Sequence, residues 1–529
     1  MTLRVCRVAR IRFGQVQALN ALLATGSASW LVYLAYVLLF PLTVYGYADR
    51  PYDMEQIAHH QRWMGVVWIV GLVVIYVLFG LAVWVAGHVA AEADTSDRPP
   101  GRSAATSHSI SPGSYLNRSL WQVVLLLSLL FSVTLIWLYP VTATDLFQYV
   151  MRARVGVIYG ANPMSVAPGH FPGDPLLPFV GEWKNIVSPY GPAWELLAQA
   201  VARLGFTGAV SGALAYKGLA WLAYWVCVAA LVWGTRSRSP ASCLQALVFF
   251  AWNPMVLLQG IGNGHNDLVM LAWLLLALVI WQRQPGTNWV VSWLLAVACI
   301  TLAVLTKAAA ALMALLLWVV IVRDQPGWGR RVLVTLGTAG VAIVLSLLAY
   351  LAFWPPWQSI AGVLDEMSNR YTYTIAATLR LGLSELIPHQ VAWETPRLSG
   401  QLLAMTILGW CAVQLWRRRL TLPAAGFLAY FAYLMGGASY RIWYPLWLVP
   451  LAALCLTTGI RWRSLLLSFT SEFSIVVFYY VWRWLWPQAS WLQVHLLTVP
   501  WQFGLPLLVP IGLRQRLRCR VMKEDEGLL

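Results

Sequence analysis

The chain has 529 residues, 60% hydrophobic and only 11% charged, with 36 Lys and Arg against 20 Asp and Glu, a formal net charge of +16. Apolar blocks of roughly 17–25 residues recur from end to end, which excludes an ordinary soluble domain and marks an all-α, polytopic helical membrane protein. The seven cysteines (Cys6, Cys227, Cys243, Cys299, Cys411, Cys455 and Cys519) follow no metal-site or disulfide spacing, and no polar interval is long enough to bury a core of its own.

Arg4, Arg7, Arg10 and Arg12 precede a long apolar segment without a small-residue cleavage site, so a retained first span is expected there rather than a signal peptide. Spans are expected at 19–47, 64–88, 119–139, 208–234, 241–260, 266–283, 289–306, 308–322, 332–353, 398–416, 422–438, 443–459, 464–485 and 494–513. That makes fourteen crossings with both termini cytoplasmic. The segment 289–322 is read as two short crossings, because a single one would send WRRRL, RWR and the basic tail outside. On this topology roughly two thirds of the Lys and Arg lie in cytoplasmic loops, so the positive charge is the orientation signal of a multi-pass plasma (inner) membrane protein. Nucleic acid is not needed as a partner; membrane lipids are.

A two-helix extension over 1–90 is followed by a polar, Ser- and Pro-rich cytoplasmic linker over 91–118. A membrane core is expected over 119–460, further helices over 461–513 and a cytoplasmic tail over 514–529. Two outer loops, 140–207 and 354–397, are long. In the first, helical spacing in DLFQYVMRAR puts Asp145, Gln148 and Arg152 on one face, opposite Leu146, Val150 and Ala153. AWELLAQAVARLG likewise aligns Glu195, Gln199 and Arg203. Both segments are expected to lie along the membrane surface, on either side of a Pro- and Gly-rich stretch ending SPYGP that suits a ligand-facing loop. The second outer loop, with Arg370 and Tyr371, is expected to act as a lid.

Polar residues that hydropathy does not explain collect on the outer side. They are Asp145, Arg152, Arg154, Asp174, Glu182, Lys184, His265 and Asp267 in the turn GNGHND, Lys307, Arg370, and Arg441 in ASYRIWY. A carboxylate can take a proton from an attacking hydroxyl while fixed cations hold a phosphate, so the set suits displacement at a carbon bearing a phosphate leaving group. Trp183, Tyr190, Trp354, Trp357, Trp443 and Tyr444 offer flat faces for a sugar ring or a lipid chain. Each assignment has a plainer rival. Asp145 could cap its helix; His265 and Asp267 could belong to a polar turn; Lys307 could snorkel. Arg152 and Arg154 could meet lipid head groups or Glu182, and Arg441 could be an interfacial arginine. Glu472, inside a span, is expected to pair with Arg463. His59 and His60 lack the further ligands a metal site needs.

The order DLFQYVMRARVGVIYGANP, SPYGPAWELL, NPMVLLQGIGNGHNDLVM, LTKAAAAL and SYRIWYPLW resembles the GT-C superfamily of integral-membrane glycosyltransferases. More narrowly, it resembles bacterial polyprenol-phosphomannose-dependent α-mannosyltransferases, over roughly residues 119–460. The resemblance implies a polyprenyl-phosphate sugar donor, mannose in this case, a glycan or glycolipid acceptor hydroxyl arriving from outside, and inversion at the anomeric carbon. It implies Asp145 as catalytic base. The superfamily often pairs acids at that point, whereas here Thr144 precedes a single Asp. It implies Asp267 as a second acid helping to bind a divalent cation or the donor phosphate, with His265 as an alternative phosphate contact and no metal ligand set assigned. Tyr149, Arg152, Glu182, Tyr190, His265, Asp267, Lys307, Arg370 and Arg441 are the expected substrate-binding residues. A lipid-linked-oligosaccharide flippase and an outer-face polymerase or ligase of lipid-linked glycans are the competing readings; a flippase would line the middle of its helices with charge.

Overall fold

In a computed structural model of the chain, the described residues are 14–42, 62–89, 112–143, 145–283, 288–358, 360–361 and 373–510, and the ordered elements among them are helices. Long apolar runs without charge leave the backbone no partner but itself, and in hydrocarbon only a helix satisfies every N–H and C=O within one segment. Among the described residues eight helices are long and apolar enough to cross a bilayer: Gln15–Leu39, Arg62–Gly87, Arg118–Ile136, Ala209–Thr235, Trp289–Thr306, Trp328–Phe353, His389–Trp416 and Thr458–Leu485. A pair bent by 49°, Pro240–Ala251 and Val256–Gly262, makes a ninth if counted as one span. The chain is a multi-pass membrane protein. Helix length accounts for eight or nine of the fourteen expected crossings, and four further apolar helices (Asp267–Gln282, Ala308–Arg323, Leu422–Gly436 and Tyr444–Leu454) are shorter. The His389–Trp416 helix starts well before the expected 398 and runs straight through Pro396.

The expected break within 289–322 falls at Lys307. The Trp289–Thr306 helix ends there, Lys307 itself is extended (φ −153°, ψ 124°), and a 3-10 turn at Ala308–Ala310 leads into Ala311–Arg323. The GNGHND turn is set by Gly264, whose φ of +69° lies in the left-handed region and whose missing Cβ leaves room for the Leu146 side chain.

The two amphipathic segments expected at the membrane surface form helices whose polar faces are packed against the rest of the protein. The Asp145–Val157 helix is buried on nearly every side, and the Pro192–Arg203 helix turns Glu195 and Gln199 inward. Their polar faces meet protein rather than water or lipid heads: Arg152 Nη2 donates to the carbonyls of Ile186 and Val187 at 3.3 and 3.4 Å, and Gln199 lies where a Cβ on Gly156 would stand. Amphipathicity reports two unlike faces and is silent on what covers the polar one.

Glu472 and Lys217 are ionisable residues buried inside long helices. Glu472 was expected to pair with Arg463, but the structure overturns this. Nine residues at 100° each place the two on opposite faces of one helix. Glu472 Oε2 accepts from Gln259 Nε2 at 2.9 Å, while Arg463 donates to the carbonyls of Leu507 and Val509. Lys217, in the Ala209–Thr235 helix, is fully buried and donates to the carbonyls of Leu135, Leu138 and Gly262. It ties the end of the helix that precedes Asp145 to the turn that precedes His265.

His59, His60, Arg370, Tyr371, Cys6, Cys519 and most of the 91–118 linker lie outside the described residues, as does the side chain of Glu182. The described cysteines Cys227, Cys243, Cys299, Cys411 and Cys455 are not in disulfides.

Lys217→Met keeps the length of the side chain but removes the donor from the Leu138 and Gly262 carbonyls. Each orphaned buried group costs about 1–3 kcal/mol, so the variant is expected to melt well below the wild type in detergent; an unchanged thermal midpoint would refute the role.

Candidate active site

Asp145 begins its helix with only 5% of its surface exposed, and the Tyr190 hydroxyl donates to its Oδ1 at 3.0 Å. Burial, with the neighbouring Tyr149 and Asp145 adding to it, pushes the Tyr190 phenol well above its usual range, so the hydroxyl keeps its proton and remains a donor. Tyr149, one turn after Asp145, packs edge-on against Tyr190 and Trp194 and receives the backbone N–H of Asn266 at 3.4 Å.

Tyr190 reaches Asp145 because the residue after it is glycine. A Cβ on Gly191 would stand 1.9 Å from the Leu305 carbonyl oxygen, and the Gly191 N–H donates to the Thr306 carbonyl at 3.2 Å. SPYGP is thereby docked on the end of the helix whose next residue is Lys307. The Lys307 ammonium lies 5.8 Å from the centre of the Tyr190 ring, 5.4 Å from that of Tyr444 and 5.5 Å from that of Trp447.

Lys307 bonds both oxygens of Asp267, at 2.8 and 2.9 Å, and the Trp447 indole N–H donates to Oδ1 of the same carboxylate. Asp267 is fully buried and the Lys307 side chain is 15% exposed. His265 stacks on Trp443 with centroids 4.1 Å apart, and neither ring nitrogen finds a partner in the protein. Burial lowers the imidazole to about 4, against the opposing pull of Asp145 and Asp267, so the ring is neutral near pH 7. Asp145, Asp267 and Lys307 are all close enough to act on this one imidazole, so the sequence-distant groups converge.

The arginines divide. Arg152 is 1% exposed, lies over the Tyr190 ring at 5.8 Å, and leaves Nε and Nη1 without protein partners. Arg154, two residues on, turns away: it forms an ion pair with Asp174 at 2.8 Å, while Tyr159 and the Leu176 N–H hold the same carboxylate. Asp174 is therefore a buried structural acid and the ion-pair partner of Arg154. Arg441 lies over the Trp183 ring at 4.9 Å and, with Thr142, Tyr440, Trp443 and Ser474, lines a cavity of about 100 Å³.

Several residues went unsingled in the sequence. Trp447 is hidden among 31 tryptophans, Ser188 carries no charge, and Glu195 reads as part of an ordinary amphipathic stripe. The Ser188 hydroxyl donates to Glu195 Oε1 and receives the Tyr190 N–H at 3.3 Å. Burial raises the Glu195 carboxyl, opposed by the Ser188 bond and by Arg152. Among the described residues no group of three or more His, Cys, Asp or Glu is arranged to hold a metal, and both Asp267 oxygens are committed to Lys307. The residues present therefore do not fit a cation held by Asp267.

Removing one partner of a buried ion pair costs about 3–5 kcal/mol because the other charge is left uncompensated. Asp267→Asn and Lys307→Met are each expected to destabilise strongly and the double variant by less than the sum; additive losses in thermal unfolding would refute the pairing. Gly191→Ala forces the loop off the Leu305 carbonyl. An overpacking cost of about 1–3 kcal/mol is expected, read as a lowered melting point, and a wild-type melting point would refute the close approach.

A family model described as "Alpha-(1->6)-mannopyranosyltransferase, N-terminal domain" matches residues 34–323, more than half of the chain. The Alpha-(1->6)-mannopyranosyltransferase A of Mycobacterium tuberculosis is 28% identical over 242 residues, 44% of either chain. The protein of the same name from Corynebacterium glutamicum is 26% identical over 180 residues, 34% of this chain and 35% of its own. The matched stretches span less than half the length of these relatives. The family match takes in Asp145, Tyr190, His265, Asp267 and Lys307 together, and the chain belongs to the α-(1→6)-mannopyranosyltransferase family defined by that N-terminal domain.

Proposed function

We propose that this protein is a mannosyltransferase that moves mannose from a polyprenyl-phosphate donor to a hydroxyl of a glycan or glycolipid at the outer face of the plasma membrane, with inversion. The observation that carries the reading is the buried Asp145 carboxylate, held on one oxygen by a protonated tyrosine and surrounded by His265, Lys307 and Arg152. The positive charge of the loops assigned to the cytoplasm supports the outer location.

Asp145 acts as general base. With Tyr190 on Oδ1, the other oxygen takes the acceptor's hydroxyl proton as the acceptor oxygen bonds to the anomeric carbon. The bond from that carbon to the phosphate oxygen breaks, its electron pair leaving with the polyprenyl phosphate. The relatives' names specify an α-(1→6) linkage; carried to this chain, inversion to that product starts from a β-linked donor. Lys307 is already neutralised by Asp267, so this pair serves to hold the His265 turn against Tyr190 rather than to supply free charge. The leaving phosphate is met by Arg441 at the cavity beside Trp443, and Arg152 contributes a fixed positive potential behind the Tyr190 ring. Neutral His265 offers a ring nitrogen to a sugar or phosphate oxygen. Tyr149 shapes the wall, and Glu182 and Arg370, from the two long outer loops, are proposed as further donor-binding residues.

A general base supplies about 10² to 10⁴ in rate. With purified protein in lipid vesicles, radiolabelled polyprenyl-phosphate mannose and a membrane acceptor fraction, Asp145→Asn is expected to lose transfer by about that factor while donor binding persists. Transfer at the wild-type rate in Asp145→Asn removes it as base, and a wild type inert with every lipid-linked sugar overturns the whole reading.

A further inference from the structure

Three hydrogen bonds run in series from a buried acid to the proposed base. Glu195 is 1% exposed and Ser188 fully buried. The Ser188 hydroxyl has a single hydrogen, and it goes to Glu195 Oε1; a lone pair of the same oxygen receives the Tyr190 N–H at 3.3 Å. The Tyr190 hydroxyl then donates to Asp145 Oδ1 at 3.0 Å. The Ser188 backbone N–H is itself fixed on the Pro163 carbonyl at 2.9 Å, so the hydroxyl has little freedom except rotation about its own bond.

We infer that Glu195 is a positioning residue for Asp145, acting through Ser188 and Tyr190. This rests on the mannosyl-transfer reading above. A hydroxyl is an indifferent hydrogen-bond partner until something dictates where its proton points. Glu195 dictates it. With the proton committed to the carboxylate, the lone pair that faces Tyr190 stays an acceptor, and the SPYGP loop holds the phenol where it meets Asp145.

The geometry also explains why an acid fills this place. Glu195 Oε2 has no hydrogen-bond partner in the protein, and Arg152, with two unpartnered nitrogens of its own, is near enough to act on the carboxyl. The acid offsets part of the charge of a buried guanidinium and orients a hydroxyl at once. Glutamine keeps the second of these abilities and loses the first, whereas alanine loses both. The first turn of the Pro192–Arg203 helix supplies the rigidity: the Glu195 N–H bonds the Gly191 carbonyl at 3.2 Å, so the acid is built on the same residue that docks the loop on Leu305.

The test compares Glu195→Gln, Glu195→Ala, Ser188→Ala, Tyr190→Phe and Glu195→Ala/Tyr190→Phe in the full-length protein in vesicles, with radiolabelled polyprenyl-phosphate mannose. Loss of one hydrogen bond to a charged group is worth about tenfold or more. Ser188→Ala and Glu195→Ala are expected to lower kcat about tenfold with the donor KM unchanged. Glu195→Gln is expected to recover most of that loss, and the double variant to be no slower than Tyr190→Phe alone. If Glu195→Ala does not fold, Ser188→Ala and the glutamine rescue decide the matter by themselves. Wild-type kcat in Ser188→Ala, a raised KM with kcat intact, or losses that multiply in the double variant would each overturn the relay. Failure of the mannosyl-transfer reading looks different, because the wild type would then transfer nothing.

Discussion

The close approach of Gly191 to the end of the Trp289–Thr306 helix is the contact on which the site depends. The Leu305 carbonyl occupies the space a side chain would need, and the Thr306 carbonyl receives the glycine N–H. Tyr190 and Lys307 flank that contact, one residue to either side of the backbone that touches. The tyrosine ring therefore lies beneath the ammonium while its hydroxyl reaches Asp145. Lys307 in turn holds Asp267, and the turn that carries Asp267 carries His265. Segments more than a hundred residues apart are brought to hydrogen-bonding distance because one position has no Cβ.

Charge compensation separates structural ions from the rest. Arg154 has Asp174, Lys307 has Asp267, and Lys217 has three backbone carbonyls. Buried polar atoms are normally satisfied within the protein. Atoms that are not occur in several parts of the protein, and the segments that meet around Asp145 hold a group of them: both nitrogens of His265, two of Arg152, the side-chain amide of Asn266 and the indole N–H of Trp443. A cluster of unmet donors and acceptors around a carboxylate is what distinguishes a place made to receive a polar ligand from a stabilising ion pair, and it supports the proposed transfer reaction.

Neighbouring residues of like chemistry met opposite fates, and the reason is rotation. Arg152 and Arg154 are two positions apart on one helix, so their side chains diverge by roughly 200°. One lies against Tyr190 and the other against Asp174. The same arithmetic undoes the expected Glu472–Arg463 pair, since residues nine apart project to opposite faces. Membership of a polar segment is thus a weak guide to role, and angular position within the helix a strong one.

The sequence alone determined the membrane character, the break at Lys307, a polar turn at GNGHND and the polar residues from which the site is drawn, because each follows from local composition or from a motif read in order. It did not decide how those segments pair. Hydropathy could not tell what covers the polar faces of the helices bearing Asp145 and Glu195, which are buried against protein. Nor could it reveal that Lys307 is spent on Asp267, that Trp447 bonds the same acid, or that Ser188 links Glu195 to Tyr190. Those facts depend on distances between residues up to 180 positions apart. Such distances arise only when the helices pack and the low-dielectric interior obliges every charge to find its partner.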